Sequence, residues 1–158
     1  MDPSADAAPG YVDIVRLHGS TRDRVLTLTM ALADDIPPGS PTIGILAYQF
    51  YLDADGDGAW DHMAGLELAP GGGFVPVFVD RASGVQSKGP NYPGTANLAG
   101  RVISLTVRLA ALSCPPVIGV RGRTEWVKGG STVVDDVPDA ATEWLQIQTD
   151  CEGPSGAS

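Results

Sequence analysis

Apolar residues recur along this chain at every second position, not at the 3.6-residue spacing of a helix. From Val25 to Leu32, Leu26, Leu28, Met30 and Leu32 share one face, and Thr27, Thr29 and Ala31 take the other. This is the pattern of a strand with one face against a core. From Leu46 to Leu52, Leu46, Tyr48, Phe50 and Leu52 lie opposite Gln49 and Tyr51. From Arg101 to Leu109, Ile103, Leu105, Val107 and Leu109 alternate with Ser104, Thr106 and Arg108. Further strands are expected at Val12–Leu17, Trp60–Leu68, Phe74–Asp80, Val117–Val127 and Trp144–Thr149, about eight in all. No segment carries an amphipathic helix, and Ala110–Leu112 is too short for one.

The separators have turn chemistry: Ile36-Pro37-Pro38-Gly39, Pro70-Gly71-Gly72-Gly73 and Lys128-Gly129-Gly130-Ser131. The Gly71–Gly73 run reads as a hairpin turn and not a phosphate loop, because no Lys-Ser/Thr and no helix follow it. Short strands with such turns predict an all-β fold, a two-sheet antiparallel sandwich of the jelly-roll or immunoglobulin-like kind. Residues 11–151 form one domain in this reading, with a flexible arm at 1–10 and a flexible tail at 152–158. The longest irregular stretch, Arg81–Gly100, is expected to be a loop that exposes Tyr92.

Between two expected strands stands Asp53-Ala54-Asp55-Gly56-Asp57-Gly58-Ala59-Trp60-Asp61, a D-x-D-x-D-G run followed by Asp. Carboxylates at the first, third and fifth positions converge on one hard cation, and Gly58 permits the sharp turn. Ala59 can offer its backbone carbonyl, and Asp61 can ligate directly or through water. Oxygen ligands alone select calcium over zinc or copper. The twelfth position is Ala64, not Glu, and the flanks read as strands, so this is not an EF-hand. A more distant carboxylate would have to complete the shell. Glu67 is one candidate, and the cluster Asp135, Asp136 and Asp139 is a second acidic site. Read without a metal, the loop is a solvated acidic hairpin.

Cys114 and Cys151 are the two cysteines, both in polar, loop-like surroundings after expected strands. A disulfide is therefore expected, with the oxidising compartment it implies. The formal net charge of -9, with Lys88 and Lys128 as the two lysines, leaves no basic patch for nucleic acid or an anionic membrane. No apolar stretch is long enough to span a bilayer as a helix. The opening residues have neither the charged nor the apolar region of a signal peptide. A mature segment of a secreted protein is the preferred reading.

Trp60, Trp126 and Trp144 raise the question of a sugar-stacking platform, although scattered strand tryptophans are more often core. No G-x-S-x-G, no H-E-x-x-H and no cysteine with a nearby base is present, and His18 and His62 lie in different segments. A catalytic role is not expected.

Four segments carry a family resemblance: Asp13-Ile14-Val15; Leu26-Thr27-Leu28-Thr29-Met30; Tyr48-Gln49-Phe50-Tyr51-Leu52-Asp53; and Val133-Val134-Asp135-Asp136-Val137-Pro138-Asp139. Their order resembles β-sandwich domains of secreted bacterial proteins related to DOMON domains and family 9 carbohydrate-binding modules, over about residues 11–149. The Asp53–Asp61 run is similar to the calcium loops of thrombospondin type 3 repeats. The resemblance implies a jelly-roll-like sandwich, structural calcium and a non-catalytic role. It carries over no sugar-binding residues.

The leading expectation is an extracellular, calcium-stabilised binding or accessory module of a larger secreted protein, taking a glycan or protein ligand. The alternative is a structural subunit that self-assembles into a surface layer or filament through strand edges. A third reading is a hydrolase using paired aspartates.

Overall fold

Eleven strands and three short 3₁₀ turns follow one another in the computed structural model, which describes residues 10–36, 45–68, 73–128, 131–138 and 143–151. The strands are β1 (Ile14–Arg22), β2 (Val25–Leu32), β3 (Ile45–Asp53), β4 (His62–Leu68), β5 (Phe74–Asp80), β6 (Gln86–Lys88), β7 (Ala96–Ala99), β8 (Val102–Arg108), β9 (Val117–Lys128), β10 (Ser131–Val137) and β11 (Leu145–Gln148). They form two antiparallel sheets, so the expected all-β class holds. One sheet has the order β1-β2-β8-β7, and the other has β10-β9-β3-β4-β5-β6 with β11 also paired to β9. The twelve residues of β9 serve both neighbours on one edge, β11 along Val117–Val120 and β10 along Gly122–Lys128. The expected arm except Gly10, the expected tail and most of the Pro/Gly turn residues lie outside the described residues.

The period-two faces meet in the middle. Leu26, Leu28, Met30 and Leu32 of β2 and Leu46, Tyr48, Phe50 and Leu52 of β3 are all fully buried, with Ile103, Leu105 and Val107 of β8. Removing these side chains from water is the main term that holds the sheets together.

Three differences from the sequence reading concern extent. The first strand runs on to Arg22, because Asp23 and Arg24 both adopt positive φ (54° and 61°) and turn the chain directly into β2. Two positive-φ residues between paired strands match the right-handed twist of a hairpin. The signal was weak because Gly and Asn are absent there. The stretch Arg81–Gly100, expected to be irregular, supplies β6 and β7. Both are short edge strands without apolar alternation, so their pairing partners, β5 and β8, define them. The third is the acidic cluster Asp135–Asp139, expected to be a solvated loop, of which Asp135 and Asp136 belong to β10.

Three side chains of the larger sheet clamp the N-terminal segment by its backbone. The Tyr48 hydroxyl donates to the Tyr11 carbonyl at 2.8 Å, and the Thr124 hydroxyl to the Val12 carbonyl at 2.5 Å. Asp135 Oδ2 accepts from the Ile14 N–H at 2.7 Å. Burial keeps the Tyr48 phenol protonated, raising its pKa well above the ordinary tyrosine value. Tyr48→Phe removes one part-buried hydrogen bond and keeps the ring. It is expected to lower stability by about 1 kcal/mol, read as a lower urea midpoint with an unchanged slope. No loss in midpoint would mean that the hydroxyl does not anchor the segment.

Candidate metal centre

β3 delivers Asp53 at its last position and β4 begins at His62, so the acidic run is the connection of a hairpin. The Asp61 N–H donates to the Leu52 carbonyl at 2.7 Å and closes the loop at its base. Gly56 and Gly58 have φ of 75° and 86°, which side-chain-bearing residues rarely adopt.

Inside the loop, each carboxylate is bent inward by backbone donors. Asp53 Oδ1 accepts from Gly56 N at 2.8 Å, and Asp53 Oδ2 from Gly58 N at 2.9 Å. Asp55 Oδ1 accepts from Asp57 N at 3.1 Å, and Asp57 Oδ1 from Ala59 N at 2.9 Å. Asp61 Oδ2 accepts from Ala54 N at 2.7 Å and from Asp55 N at 3.3 Å. Such side-chain-to-backbone bonds are the usual chemistry of Asx turns. Together they bring one oxygen from each of Asp53, Asp55, Asp57 and Asp61 within 4.8 Å of one another. Asp53 is buried, Asp61 half-buried, and Asp55 and Asp57 exposed. Like charges at this separation repel by about 1 kcal/mol per pair in bulk water, and by more beside a protein. No ion pair answers any of the four among the described residues. The cluster could hold a metal ion, and its donors are all carboxylate oxygens.

The surroundings fix the loop to the body. β5 ends beside it, and the Arg81 N–H donates to the Asp61 carbonyl at 3.0 Å. Arg81 Nη1 donates to the Trp60 carbonyl at 3.1 Å, with its guanidinium 5.2 Å from the centre of the Trp60 ring. Trp60 meets the Tyr51 ring edge-on, 5.3 Å between centroids. His62 stacks on Phe78, and burial lowers its pKa against the opposing pull of Asp80 and Asp61. The loop, with Trp60, His62 and Arg81, also borders an open hollow of about 690 Å³ shared with Asp80, Ser113 and Pro115.

The structure separates the other acidic candidates from this cluster. Glu67 lies five residues along β4 from His62, roughly 16 Å at the rise of a strand. There it is 3.7 Å from Lys88 Nζ, an ion pair at the far end of the sheet, so it does not complete the shell. Asp135 is buried in β10, where it holds the backbone of β1 as described above. Asp136 is 3.4 Å from Arg123 Nε on the neighbouring strand. Asp139 lies outside the described residues. Ala59 remains within the loop, between Asp57 and Asp61.

The aromatic expectations divide. Tyr92 is buried at 5% exposure, edge-on to Phe78, and is not the exposed loop residue that its surroundings in sequence imply. Trp126 faces inward on β9, opposite buried Leu46, and its ring meets Tyr11. It therefore leaves the three-indole platform. Trp60 and Trp144 do come together, in a surface cleft with Tyr51. His18 is exposed on β1, in the other sheet. Cys114 and Cys151 are joined, with Cα atoms 5.6 Å apart. No described helix is long and apolar enough to cross a membrane. No protein-family model matches the chain, and no curated protein matches it.

Proposed function

We propose that this chain is an extracellular, calcium-stabilised β-sandwich that serves as a non-catalytic binding or accessory module of a larger secreted protein. The observation that carries the reading is the convergence of the Asp53, Asp55, Asp57 and Asp61 oxygens within 4.8 Å, each held in place by backbone N–H groups. An arrangement pre-bent toward one point, with no ion pair to any of the four carboxylates among the described residues, fits a hard divalent cation. Carboxylate oxygens at flexible spacing favour calcium, whereas magnesium requires a tight octahedron and keeps its waters. The disulfide supports an oxidising compartment. The likeness to DOMON-type and family 9 carbohydrate-binding sandwiches belongs to this proposal and supplies its non-catalytic part.

Calcium binding only to the folded chain adds RT ln(1 + [Ca²⁺]/Kd). For the affinities of extracellular modules, millimolar calcium then contributes about 1 kcal/mol. Differential scanning calorimetry should show a melting temperature roughly 3 °C higher in calcium than in chelator, with little response to magnesium. Asp55→Asn keeps the acceptor for Asp57 N and removes one charge, so it should reduce the calcium response with little effect in chelator. Asp53→Ala with Asp57→Ala should abolish the response. Identical transitions in calcium, magnesium and chelator would refute the metal site and leave an acidic hairpin.

A further inference from the structure

Beside the acidic loop, the outer face of the larger sheet carries a cleft of about 420 Å³ whose chemistry is opposite to that of the chain as a whole. Among the described residues its lining holds three arginines, Arg81, Arg121 and Arg123, and one carboxylate, Asp136, in a chain of formal net charge -9. Strand parity explains two of them. Arg121 and Arg123 are two apart on β9, so they project on the same side, as do Tyr51 opposite Arg121 and Gln49 opposite Arg123. Asp136, opposite Arg123 on β10, is 3.4 Å from Arg123 Nε.

The guanidinium groups are also held in place. Arg81 is tied to the Trp60 carbonyl and lies over the Trp60 ring. Arg121 Nη1 donates to the Glu143 carbonyl at 2.6 Å, and its guanidinium is 5.8 Å from the centre of the Trp144 ring. Arginines fixed in this way lose little rotamer freedom when a ligand arrives, and their planar forks match a carboxylate. The indoles of Trp60 and Trp144 and the phenol of Tyr51 add apolar ring surface. The Tyr51 hydroxyl and Asp136 add groups that hydrogen-bond to hydroxyls.

We infer that this cleft binds an acidic saccharide, a sugar unit whose carboxylate is taken by Arg81 and Arg121 and whose ring lies against Trp60 and Trp144. The inference rests on the binding-module reading and names the class of its ligand. A bare inorganic anion leaves the aromatic surface unused. An acidic peptide brings carboxylates but no rigid, hydroxylated ring. The cleft's size falls within the range of ligand sites.

The test is isothermal titration of the full chain with trigalacturonate, a neutral galactose trisaccharide and a short oligoglutamate, all in millimolar calcium. Trigalacturonate should bind saturably, at least about tenfold more tightly than either comparator, and more weakly as salt is raised. Arg81→Gln, at an exposed side chain, should weaken it by about tenfold or more, and Trp144→Ala should weaken it too. The melting temperature of each variant, measured on the same samples, shows that the fold is retained. Equal affinity for the neutral sugar overturns the inference, as does unchanged affinity in a folded Arg81→Gln chain. Tighter binding of oligoglutamate overturns it in favour of an acidic peptide. The calcium shift in melting temperature reports on the metal loop separately. A calcium shift without trigalacturonate binding removes the cleft and leaves the loop. Trigalacturonate binding without a calcium shift supports the cleft and counts against the metal.

Discussion

Replacing Cys114 and Cys151 together by serine should cost the domain about 4 kcal/mol, the largest single effect expected here. The two cysteines are 37 residues apart in sequence. In the chain-entropy account, a bridge across a loop of that length removes many conformations from the unfolded chain. The loop contains β9, β10 and β11, so the bridge ties the segment after β11 to the turn that precedes β9. Part of that junction is also held without sulfur. The Thr149 N–H donates to the Pro116 carbonyl at 2.9 Å, the Thr21 hydroxyl donates to the Gln148 carbonyl at 3.0 Å, and Asp150 Oδ2 accepts from Arg24 N at 2.9 Å. The serine variant should therefore fold to the same sandwich and melt roughly 10 °C lower. A urea series compared with the oxidised, bridged natural chain would check it. A loss under about 1 kcal/mol would mean that these hydrogen bonds, and not the bridge, secure the C-terminal segment.

Asp135→Ala should be the second most damaging change considered, at about 2–3 kcal/mol. The substitution strips the acceptor from the buried Ile14 N–H, which Asp135 Oδ2 now meets at 2.7 Å. A hydrogen bond to a charged group contributes more than a neutral one, and the orphaned donor has no water to turn to. The loss should appear in equilibrium unfolding, and hydrogen exchange should quicken at Ile14. The rise in melting temperature with calcium should persist, because Asp135 secures β1 to β10 and not the loop. If Asp135→Ala instead abolished the calcium response while leaving stability in chelator unchanged, Asp135 would have to be a metal ligand.

Both predictions bear on how far local sequence reaches. The period-two faces of β2, β3 and β8 needed no partner to be read, because alternation is a property of the strand itself. The Asp53–Asp61 loop was legible for the same reason. Its donors and acceptors lie within seven residues of each other, except for the closing bond to Leu52, so spacing alone sets its geometry. The pairing of Cys114 with Cys151 followed from there being two cysteines.

Tertiary structure decided the rest. Asp135 looks like the loop aspartates in sequence, yet it became a buried acceptor because β1 packs against β10 from 121 residues away. Tyr92 sits among Gly, Pro and Asn, yet Phe78 covers it. Glu67 is near the loop in sequence, but a strand extends it away toward Lys88. β6 and β7 carry no pattern of their own and exist because β5 and β8 offer open ladders. The convergence of Trp60, Trp144 and three arginines joins residues from both ends of the larger sheet's connectivity, which no window along the chain contains. A short-range pattern can declare which face of a strand is apolar and which loop can turn upon itself. Which charges end up facing one another depends on strand order and register, and these are set by the packing of the two sheets.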